Sequence, residues 1–390
     1  TMDYLKQYVK ILSFYKMNEF QIHLNDNGFP QFFGDDWNRT YAAFRLESER
    51  FPGLTAKDGS YSKQEFIDLQ RMGLEYGVRI IPEIDIPAHS LAFAHYKPEI
   101  ASRKYGMDHL DLYKKETYQF VDSLLDEYLS GDNPVFIGDL HIGTDEYNKK
   151  EAEQYRYFTD RYLKFVEKYG KNVRMWGGLK WLPGKTPVKA EGVTVNAWSY
   201  DWVDPVVSLQ DGYKLINTCD TYLYIVPAAG YYRDFLDHQW IYEKWSPWIM
   251  NRKQTLPEGT PGVLGGMFAV WNDKCGNGIS EQDVHLRSFP AMQVLAEKLW
   301  KGENKNVTYE AFAKLCKTTP EAPGINLLGK VPAETALTEA GKELSFNGKE
   351  AVSTPLQEVG YPYTVEFKIC PDEKTNISGV LFKGAHATVY

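Results

Sequence analysis

The stretch Ser62–Ile84, SKQEFIDLQRMGLEYGVRIIPEI, decides the fold class of this chain. Its first part, Ser62–Tyr76, carries an apolar stripe at helical spacing, and after Gly77 the short run Val78–Ile84 is rich in β-branched residues. A helix that leads directly into a short apolar strand is typical of a parallel sheet whose strands are joined by helices. The same unit repeats on both sides of this stretch.

Strand and helix patterns alternate along most of the chain. The predicted strands are Glu19–Leu24, Val78–Ile84, Val135–Ile142, Val173–Trp176, Val193–Ala197, Lys214–Thr218 and Val263–Trp271. The predicted helices are Asp3–Tyr15, Ser62–Tyr76, Glu116–Leu129, Lys149–Tyr169 and Glu281–Trp300. A closed (β/α)8 barrel needs eight strands, and no strand precedes the first helix. We therefore expect an α/β fold, a TIM barrel lacking its first strand in this fragment. The alternative is an open doubly wound sheet, whose glycine-rich turn and switch point are not visible.

The pattern changes after Trp300. A short helix, Tyr309–Cys316, is followed by a polar stretch and then, from about Leu344, by residues that alternate with period two, clearest in Tyr363–Ile369, Val380–Phe382 and Ala387–Tyr390. We expect a barrel over residues 1–318, a linker over 319–343 and a partial β-sandwich over 344–390. This last part resembles the start of a concanavalin or laminin-G-like fold.

Composition excludes several classes of function. Charged residues make up 25% of the chain and leave a net charge of −8, which argues against binding to nucleic acid or to anionic lipid. No apolar run approaches the roughly 20 residues that span a bilayer. Aromatic residues make up 15%. Their faces stack on sugar rings, although core packing is the commoner reason for such residues.

Polar and aromatic residues follow every predicted strand. Because the catalytic groups of such barrels stand at the carboxyl ends of the strands, these residues are expected to converge. They are His23 with Asn25 and Asp26, then Asp85 with His89, Asp145 with Glu146, Trp176, Trp198, Asp220 with Tyr222 and Tyr224, and Trp271 with Asp273. A single aspartate at a strand end could be a helix cap, but helix capping does not account for the whole set.

The adjacent pair Asp145 and Glu146 is the most specific feature. Neighbouring side chains of a strand point to opposite faces, so both carboxylates can enter one pocket only where the strand has ended, and Gly143 permits such a turn. A two-carboxylate retaining glycosidase needs its acid and nucleophile about 5 Å apart on opposite sides of the bond, which adjacent residues reach poorly. The pair fits a substrate that carries its own nucleophile, such as a 2-acetamido carbonyl. The other interpretation is two solvated carboxylates at the start of a helix.

The segment His141–Glu146 resembles the H-x-G-G-D-E motif of glycoside hydrolase family 20, the β-N-acetylhexosaminidases and lacto-N-biosidases. Further matches to that family follow in order over roughly residues 1–300. They are Asn25-Asp26, Pro87-Ala88-His89, Trp176, Trp198, Tyr222-Leu223 and Trp271-Asn272-Asp273. The resemblance implies an exo-acting hydrolase of terminal β-linked N-acetylhexosamine that acts by substrate-assisted retaining catalysis, with no cofactor and no metal. It also implies secretion or display at the cell surface.

The resemblance implies a role for each matching residue. Glu146 would be the general acid and base, with a raised pKa, and Asp145 would orient the acetamido group of the substrate. Asp26 and His89 would form a relay to Glu146, and Tyr222 would donate its hydroxyl to the acetamido carbonyl. At this last position the alignment can slip by two residues, which makes Tyr224 the neighbouring candidate. The expected substrate-binding residues are Trp176, Trp198, Tyr224, Trp271, Asp273 and His23.

Three positions depart from the family pattern. Thr144 and Ala88 stand where glycines are usual, and Asp273 replaces the commoner glutamate that binds the outer hydroxyls of the terminal sugar. The shorter Asp273 side chain leaves room for a second sugar, which favours a lacto-N-biosidase that releases Galβ1-3GlcNAc as an alternative. The resemblance therefore implies a glycan partner ending in β-GlcNAc, β-GalNAc or lacto-N-biose.

Two other functions stay open. The side chains His23, Asp26, Asp85, His89, His141 and Asp145 could ligate a hydrolytic metal ion, although no HxH or HExxH spacing supports a metal site. The chain could also be a non-catalytic glycan-binding protein in which the barrel is inert.

Overall fold

In the computed structural model, seven parallel strands form one sheet, and we number them β1 to β7. They are β1 Glu19–His23, β2 Arg79–Ile86, β3 Leu140–Gly143, β4 Val173–Trp176, β5 Val193–Ala197, β6 Lys214–Asn217 and β7 Val263–Gly266. Each strand pairs with the next one along the chain, so the order in the sheet is the order in the sequence. This order has no switch point, which rules out the doubly wound sheet. The fold is a partial (β/α)8 barrel, as predicted.

Ten α-helices accompany the strands in the part of the chain that the structure describes. They are α1 Met2–Phe14, α2 Lys63–Glu75, α3 Leu91–Tyr96, α4 Lys115–Leu129, α5 Ala152–Glu167, α6 Pro205–Gln210, α7 Asp220–Leu223, α8 His238–Glu243, α9 Glu281–Lys301 and α10 Tyr309–Thr318. The start of α2 shows why these sequences begin helices where they do. The Ser62 hydroxyl accepts from the Glu65 N–H, and the Glu65 carboxylate accepts from the Ser62 N–H, which satisfies two backbone donors at the helix end.

Residues 1–325 also contain short 3-10 helices and strands of two to five residues. The 3-10 helices are Pro30–Phe33, Pro98–Ile100 and Lys149–Glu151, and the short strand pairs are Asn25–Asn27 with Ala42–Phe44, Ala101–Ser102 with Gly106–Leu110, and Tyr224–Ile225 with Ala269–Val270. The structure describes residues 1–274, 279–303, 306–331, 335–338, 343–346, 349–356, 359, 363–370, 379–384 and 388–389. Among them, no helix is both long enough and apolar enough to cross a bilayer.

Five of the seven predicted strands have different limits in the structure, and two of them differ by more than two residues at one end. The run Val135–Ile142 forms a strand only from Leu140, because the Gln70 side chain bonds the Val135 carbonyl and the Ile137 N–H in place of a neighbouring strand. The run Val263–Trp271 splits into β7 and Ala269–Val270, and this second part pairs with Tyr224–Ile225 outside the main sheet. Both differences arise from partners that are distant in the sequence.

The chain divides into two units, Thr1–Ile325 and Asn326–Tyr390. The first unit extends past residue 318 because Tyr15 donates to the Pro320 carbonyl at 2.8 Å and His285 Nε2 lies 3.1 Å from Glu321 Oε2. In the second unit the described residues form one antiparallel pair, Phe382–Lys383 with Thr388–Val389.

The predicted sandwich stays a prediction. The run Tyr363–Ile369 is not a strand in the structure, because an alternating sequence needs a hydrogen-bonded neighbour to become one and none pairs with it among the described residues. Residues 332–334 and 339–342 of the predicted linker, and residues 387 and 390 of the last predicted strand, lie outside the described residues.

Candidate active site

The carboxyl ends of β1, β2 and β3 bring the predicted acids and histidines together. His89 joins them through both ring nitrogens. Its Nδ1 lies 3.0 Å from Asp26 Oδ1, and its Nε2 lies 3.2 Å from Glu146 Oε2 and 3.9 Å from Asp145 Oδ2. Four predicted catalytic residues therefore form one connected group, in which a single imidazole nitrogen faces both adjacent carboxylates.

The charge state of His89 follows from these contacts. Burial alone would lower the pKa of His89, but the charge of Asp26 and the hydrogen bonds to Asp26 and Glu146 raise it well above its ordinary value. With both nitrogens facing carboxylates, His89 is a cation that donates on each side. The same contacts lower the pKa of Asp26 although burial opposes the change, so Asp26 stays ionised.

Asp145 and Glu146 have different surroundings although they are adjacent. The Asp145 side chain is 16% exposed, and its Oδ1 has no hydrogen-bond partner among the described residues. Burial raises the pKa of Asp145 to about 6, with Glu146 adding to the rise and His89 opposing it. The Glu146 side chain is 48% exposed at the mouth of the site. The two carboxylates can thus perform different tasks.

The pKa of Glu146 differs from the expectation. Burial raises the pKa of Glu146, but the hydrogen bond and charge of His89 outweigh burial, and the net pKa is lowered rather than raised. The expectation of a raised pKa considered the burial of Glu146 but not the charged His89 imidazole next to its carboxylate. In the free protein Glu146 therefore shares a proton that rests on His89.

The backbone turn that presents the pair depends on Gly143. This residue has φ 68°, in the left-handed region, and a Cβ at this position would lie 1.7 Å from Asp85 Oδ1. Thr144 and Glu146 also have positive φ, of 79° and 51°. The strand therefore ends abruptly, which lets successive side chains enter one space, as the sequence predicted for this position.

A buried polar layer lies beneath the pair, inside the barrel. Glu83 is its centre: its Oε1 accepts from Trp176 Nε1 at 2.6 Å, and its Oε2 accepts from Gln21 Nε2 at 2.7 Å. His23 Nδ1 lies 3.1 Å from Glu83 Oε2, and His141 Nδ1 lies 3.5 Å from Glu83 Oε1. Although burial opposes it, these histidines lower the pKa of Glu83 to about 2. Glu83 thereby fixes the orientation of Trp176.

Glu83 was not predicted as a site residue, although its position in the sequence indicates one. Glu83 and Asp85 are two residues apart in β2, so they share one face of the strand. Asp85 is 1% exposed, and burial together with the charge of Asp145 raises the pKa of Asp85 well above its ordinary value. A carboxyl so buried stays neutral.

Aromatic rings pack together beside the carboxylates. Trp271 packs on Trp176 with ring centres 5.7 Å apart, on Tyr224 at 5.7 Å and on His23 at 5.1 Å. Trp198 lies parallel to Tyr224 at 6.5 Å, and its Nε1 donates to the Gly177 carbonyl. The three predicted tryptophans and Tyr224 therefore form one connected cluster of rings.

The structure corrects the placement of two predicted residues. The Tyr222 ring stacks on Trp240 at 4.2 Å and packs against a separate hydrophobic cluster, because it belongs to the short helix α7 that turns it away from the carboxylates. Tyr224 faces them instead: burial and then the charge of Asp145 raise the pKa of Tyr224 well above its ordinary value. His23 lies between Asp26 and Glu83: its Nε2 is 3.1 Å from Asp26 Oδ2 and its Nδ1 is 3.1 Å from Glu83 Oε2, so both nitrogens face carboxylates of the protein.

Asp273 lies at the rim of the site. Its Oδ2 accepts from the Tyr231 hydroxyl at 2.7 Å, and Tyr231 is 53% exposed. Burial raises the pKa of Asp273. The charges of Asp26 and Glu146 add to the rise and His89 opposes it, so Asp273 lies close enough to these three residues to interact with them. Tyr231 was not predicted, because it lies in a loop with no periodic pattern.

Two groups of side chains have the spacing of metal ligands. In each, the ligand atoms lie within 4.8 Å of one another: His23, Glu83 and Asp85 in one, and Asp85, His89 and Asp145 in the other. Metal ligation requires a neutral imidazole. The contacts of His23 and His89 with carboxylates raise the pKa of both well above the ordinary value although burial opposes the rise, so these donors are a poor fit to a cation.

Known proteins match this chain in sequence and in fold. Residues 1–303 match the catalytic domain of glycosyl hydrolase family 20. The chain is 26% identical over 362 residues to the β-hexosaminidase subunit B2 of Dictyostelium discoideum, which covers 80% of this chain and 57% of that protein. It is 22% identical over 322 residues to the lacto-N-biosidase of Bifidobacterium bifidum, which covers 74% of this chain and 28% of that protein.

Among solved structures, the β-N-acetylhexosaminidase of Bacteroides fragilis superposes with a TM-score of 0.63 at 21% identity, over 81% of this chain and 66% of that one. Dispersin B superposes with a TM-score of 0.59 at 19% identity, over 77% of this chain and 95% of that one. These likenesses show the fold. The chain spans about half the length of the curated relatives it matches.

Proposed function

The chain belongs to glycosyl hydrolase family 20, and from this premise we propose that it removes β-linked N-acetylhexosamine from the non-reducing ends of glycans by substrate-assisted catalysis. One observation carries the proposal: Asp145 and Glu146 both face the same nitrogen of His89, at 3.9 and 3.2 Å. Carboxylates on one side of a cavity cannot flank a sugar ring as nucleophile and acid. The attacking oxygen then comes from the acetamido group of the substrate.

Asp145 holds that acetamido group. Its Oδ1, unpaired among the described residues, is an acceptor for the acetamido N–H, and ionised Asp145 balances the positive charge that develops as the carbonyl oxygen attacks the anomeric carbon. Tyr224 is the matching donor to the acetamido carbonyl, the role predicted for Tyr222 with Tyr224 as the neighbouring candidate. Both groups stabilise the transition state more than the ground state.

Glu146 protonates the leaving oxygen and then activates water. The proton is available because His89 is a cation whose Nε2 lies 3.2 Å from Glu146 Oε2 while Asp26 holds its other nitrogen. A bound sugar removes water from the mouth of the site, which raises the pKa of Glu146 and draws the proton from His89 to the carboxylate. The Asp26–His89 pair thus supplies the acid catalyst without a raised pKa in the free protein.

The test compares leaving groups. Glu146→Gln should lose at least about a hundredfold in kcat on unactivated β-GlcNAc disaccharides, but far less on p-nitrophenyl β-GlcNAc, whose phenolate leaves without a proton. Equal losses on both substrates contradict the assignment. A thiazoline that mimics the cyclised intermediate should inhibit the wild type far more tightly than substrate binds, and absence of inhibition excludes acetamido participation.

The alternatives have their own tests. A lacto-N-biosidase releases disaccharide from p-nitrophenyl lacto-N-bioside, and Asp273→Glu should then shift the products toward monosaccharide. A metal-dependent hydrolase loses activity in chelator, whereas the proposed mechanism does not. If the chain only binds glycans, p-nitrophenyl β-GlcNAc stays intact while sugar still quenches tryptophan fluorescence.

We also propose a secreted or cell-surface location, because terminal hexosamines occur on extracellular glycans. Fractionation of the producing cells tests this location.

A further inference from the structure

A second group of aromatic rings lies beside the cavity, on the loops that follow β4 and β5. Trp202 packs on Trp198 with ring centres 5.3 Å apart, and Trp181 packs on Trp202 at 5.1 Å. Because Trp198 also stacks on Tyr224, this row of rings is continuous with the aromatic cluster of the candidate site. We call the group the aromatic-lysine patch; it consists of Trp181, Tyr200, Trp202, Lys149, Lys180 and Lys253.

The three lysines of the patch lie over its rings. Lys149 Nζ is 4.7 Å from the ring centre of Trp181, whereas Lys180 Nζ and Lys253 Nζ are 3.5 and 4.2 Å from the ring centre of Tyr200. Lys180 also donates to the Tyr200 carbonyl. None of the three ammonium groups forms an ion pair with a carboxylate of the residues described. Two cations that share one ring repel each other, and a bound anion would relieve this repulsion.

The patch contrasts with the rest of the protein. The chain carries a net charge of −8, so a cluster of unpaired cations is a local exception. Long polyanions such as nucleic acid are repelled by that net charge. A short acidic ligand contacts the lysines without covering the rest of the surface, and the exposed Asp201 is the one carboxylate between Tyr200 and Trp202 in the sequence. Indole faces stack on the apolar faces of sugar rings, and ammonium groups bind sulfate and carboxylate.

We propose that the aromatic-lysine patch binds an acidic sugar, one that carries a sulfate or a carboxylate, within an oligosaccharide. Its position next to Trp198 makes this sugar a neighbour of the unit held in the cavity. That the same glycan is also hydrolysed rests on the proposed function; binding at the patch does not.

Calorimetric titration tests the proposal in the Glu146→Gln background, so that oligosaccharides stay intact. The probes are a keratan sulfate hexasaccharide, its desulfated form and a hyaluronan hexasaccharide, which offer sulfate, no charge and carboxylate. We expect the charged probes to bind at least tenfold more tightly than the desulfated one, with an affinity that falls as salt increases. Comparison of the two charged probes identifies the preferred anion.

Two variants locate the site. Lys149→Ala with Lys253→Ala should weaken binding of the charged probes about five- to tenfold, as expected for exposed charge pairs, and leave the desulfated probe unaffected. Lys168→Ala removes an exposed lysine just after α5, near the opposite edge of the sheet, and should change nothing. In the active background, the double variant should hydrolyse p-nitrophenyl β-GlcNAc like the wild type.

Several outcomes overturn the inference. They are equal binding of charged and desulfated probes, unchanged binding in the double variant, and equally tight binding of a single-stranded oligodeoxynucleotide of the same charge. These results are distinguishable from failure of the proposed function. If the wild type leaves p-nitrophenyl β-GlcNAc intact but binds the charged probes through the lysines, the hydrolase proposal fails and the patch stands.

Discussion

Asp145→Asn should make the protein more stable while it removes most of its activity. The pKa of Asp145 rises from an ordinary 3.8 to about 6 because the side chain is buried and lies next to Glu146. The folded state therefore binds the proton more tightly than the unfolded chain, and ionisation costs stability as pH rises from about 4 to about 6. Asparagine has nearly the same shape and never ionises.

The size of the effect follows from the shift. A difference of about two pKa units corresponds to about 3 kcal/mol at pH 7.5, where the carboxylate is ionised in both states. At pH 5 about half of this remains, and well below pH 4 both forms are neutral and the difference disappears. The loss of charge also lowers the pKa of Asp85, which Asp145 helps to raise, so this neighbour does not offset the gain.

Urea unfolding followed by tryptophan fluorescence at pH 5 and pH 7.5 measures the effect. We expect a higher unfolding midpoint for Asp145→Asn at pH 7.5 and a smaller difference at pH 5. Asp132→Asn, which removes an exposed charge, is the matched control and should not change the midpoint. A variant that is no more stable than the wild type at pH 7.5, or one whose gain is independent of pH, would refute the reasoning.

Three further predictions follow from the site. Tyr224→Phe should lower kcat about tenfold or more, whereas Tyr222→Phe should leave it within about twofold, because only Tyr224 faces the carboxylates; equal losses would contradict the placement. The value of kcat/KM should fall about tenfold per pH unit below about 6, where Asp145 takes up a proton; a profile flat to pH 5 excludes an ionised Asp145. Gly143→Ala should destabilise the protein by about 3 kcal/mol or more in urea unfolding, because its φ is positive and a Cβ would meet Asp85 Oδ1; an unchanged midpoint would contradict this.

Apolar runs predicted the strands most closely where the strands are buried, as β4 and β5 are. The apolar runs that became β4 and β5 have the predicted limits, Val173–Trp176 and Val193–Ala197. The predicted strand limits are wrong where a distant side chain, rather than a neighbouring strand, bonds the backbone, as the Gln70 side chain does at Val135. Short helices such as α6 and α8 were not predicted, because six residues carry too little pattern.

The site was predicted in outline because carboxyl ends of parallel strands meet at one edge. This geometry of parallel strands predicts that Asp26, His89 and Glu146 lie close together. It could not predict which of Tyr222 and Tyr224 faces inward, because a single turn of α7 decides this. Nor could it give the sign of the pKa shift of Glu146, which depends on an imidazole placed by a loop.

Backbone strain is a further feature of the site that could not be predicted from the sequence. Three of the non-glycine residues with positive φ belong to the site: His89 at 50°, Thr144 at 79° and Glu146 at 51°. Such conformations are costly and persist only where the surroundings fix them. The carbonyl of each is bonded by a side chain from elsewhere in the fold, and these pairs are Asn25 with His89, Tyr155 with Thr144, and His109 with Glu146.

Through these three hydrogen bonds, side chains from other parts of the fold hold the strained backbone of the candidate site in place. Tyr155 is fully buried in α5, and Asn25 is buried at the end of β1, so packing of the barrel fixes both donors. His109 is held in turn by Asp108, with Nδ1 2.8 Å from its Oδ1. The backbone that gives the adjacent carboxylates separate environments therefore depends on Asn25, which belongs to a family motif, and on Tyr155 and His109, which belong to none. A sequence pattern can identify which side chains act, but only the folded barrel determines the backbone that separates their tasks.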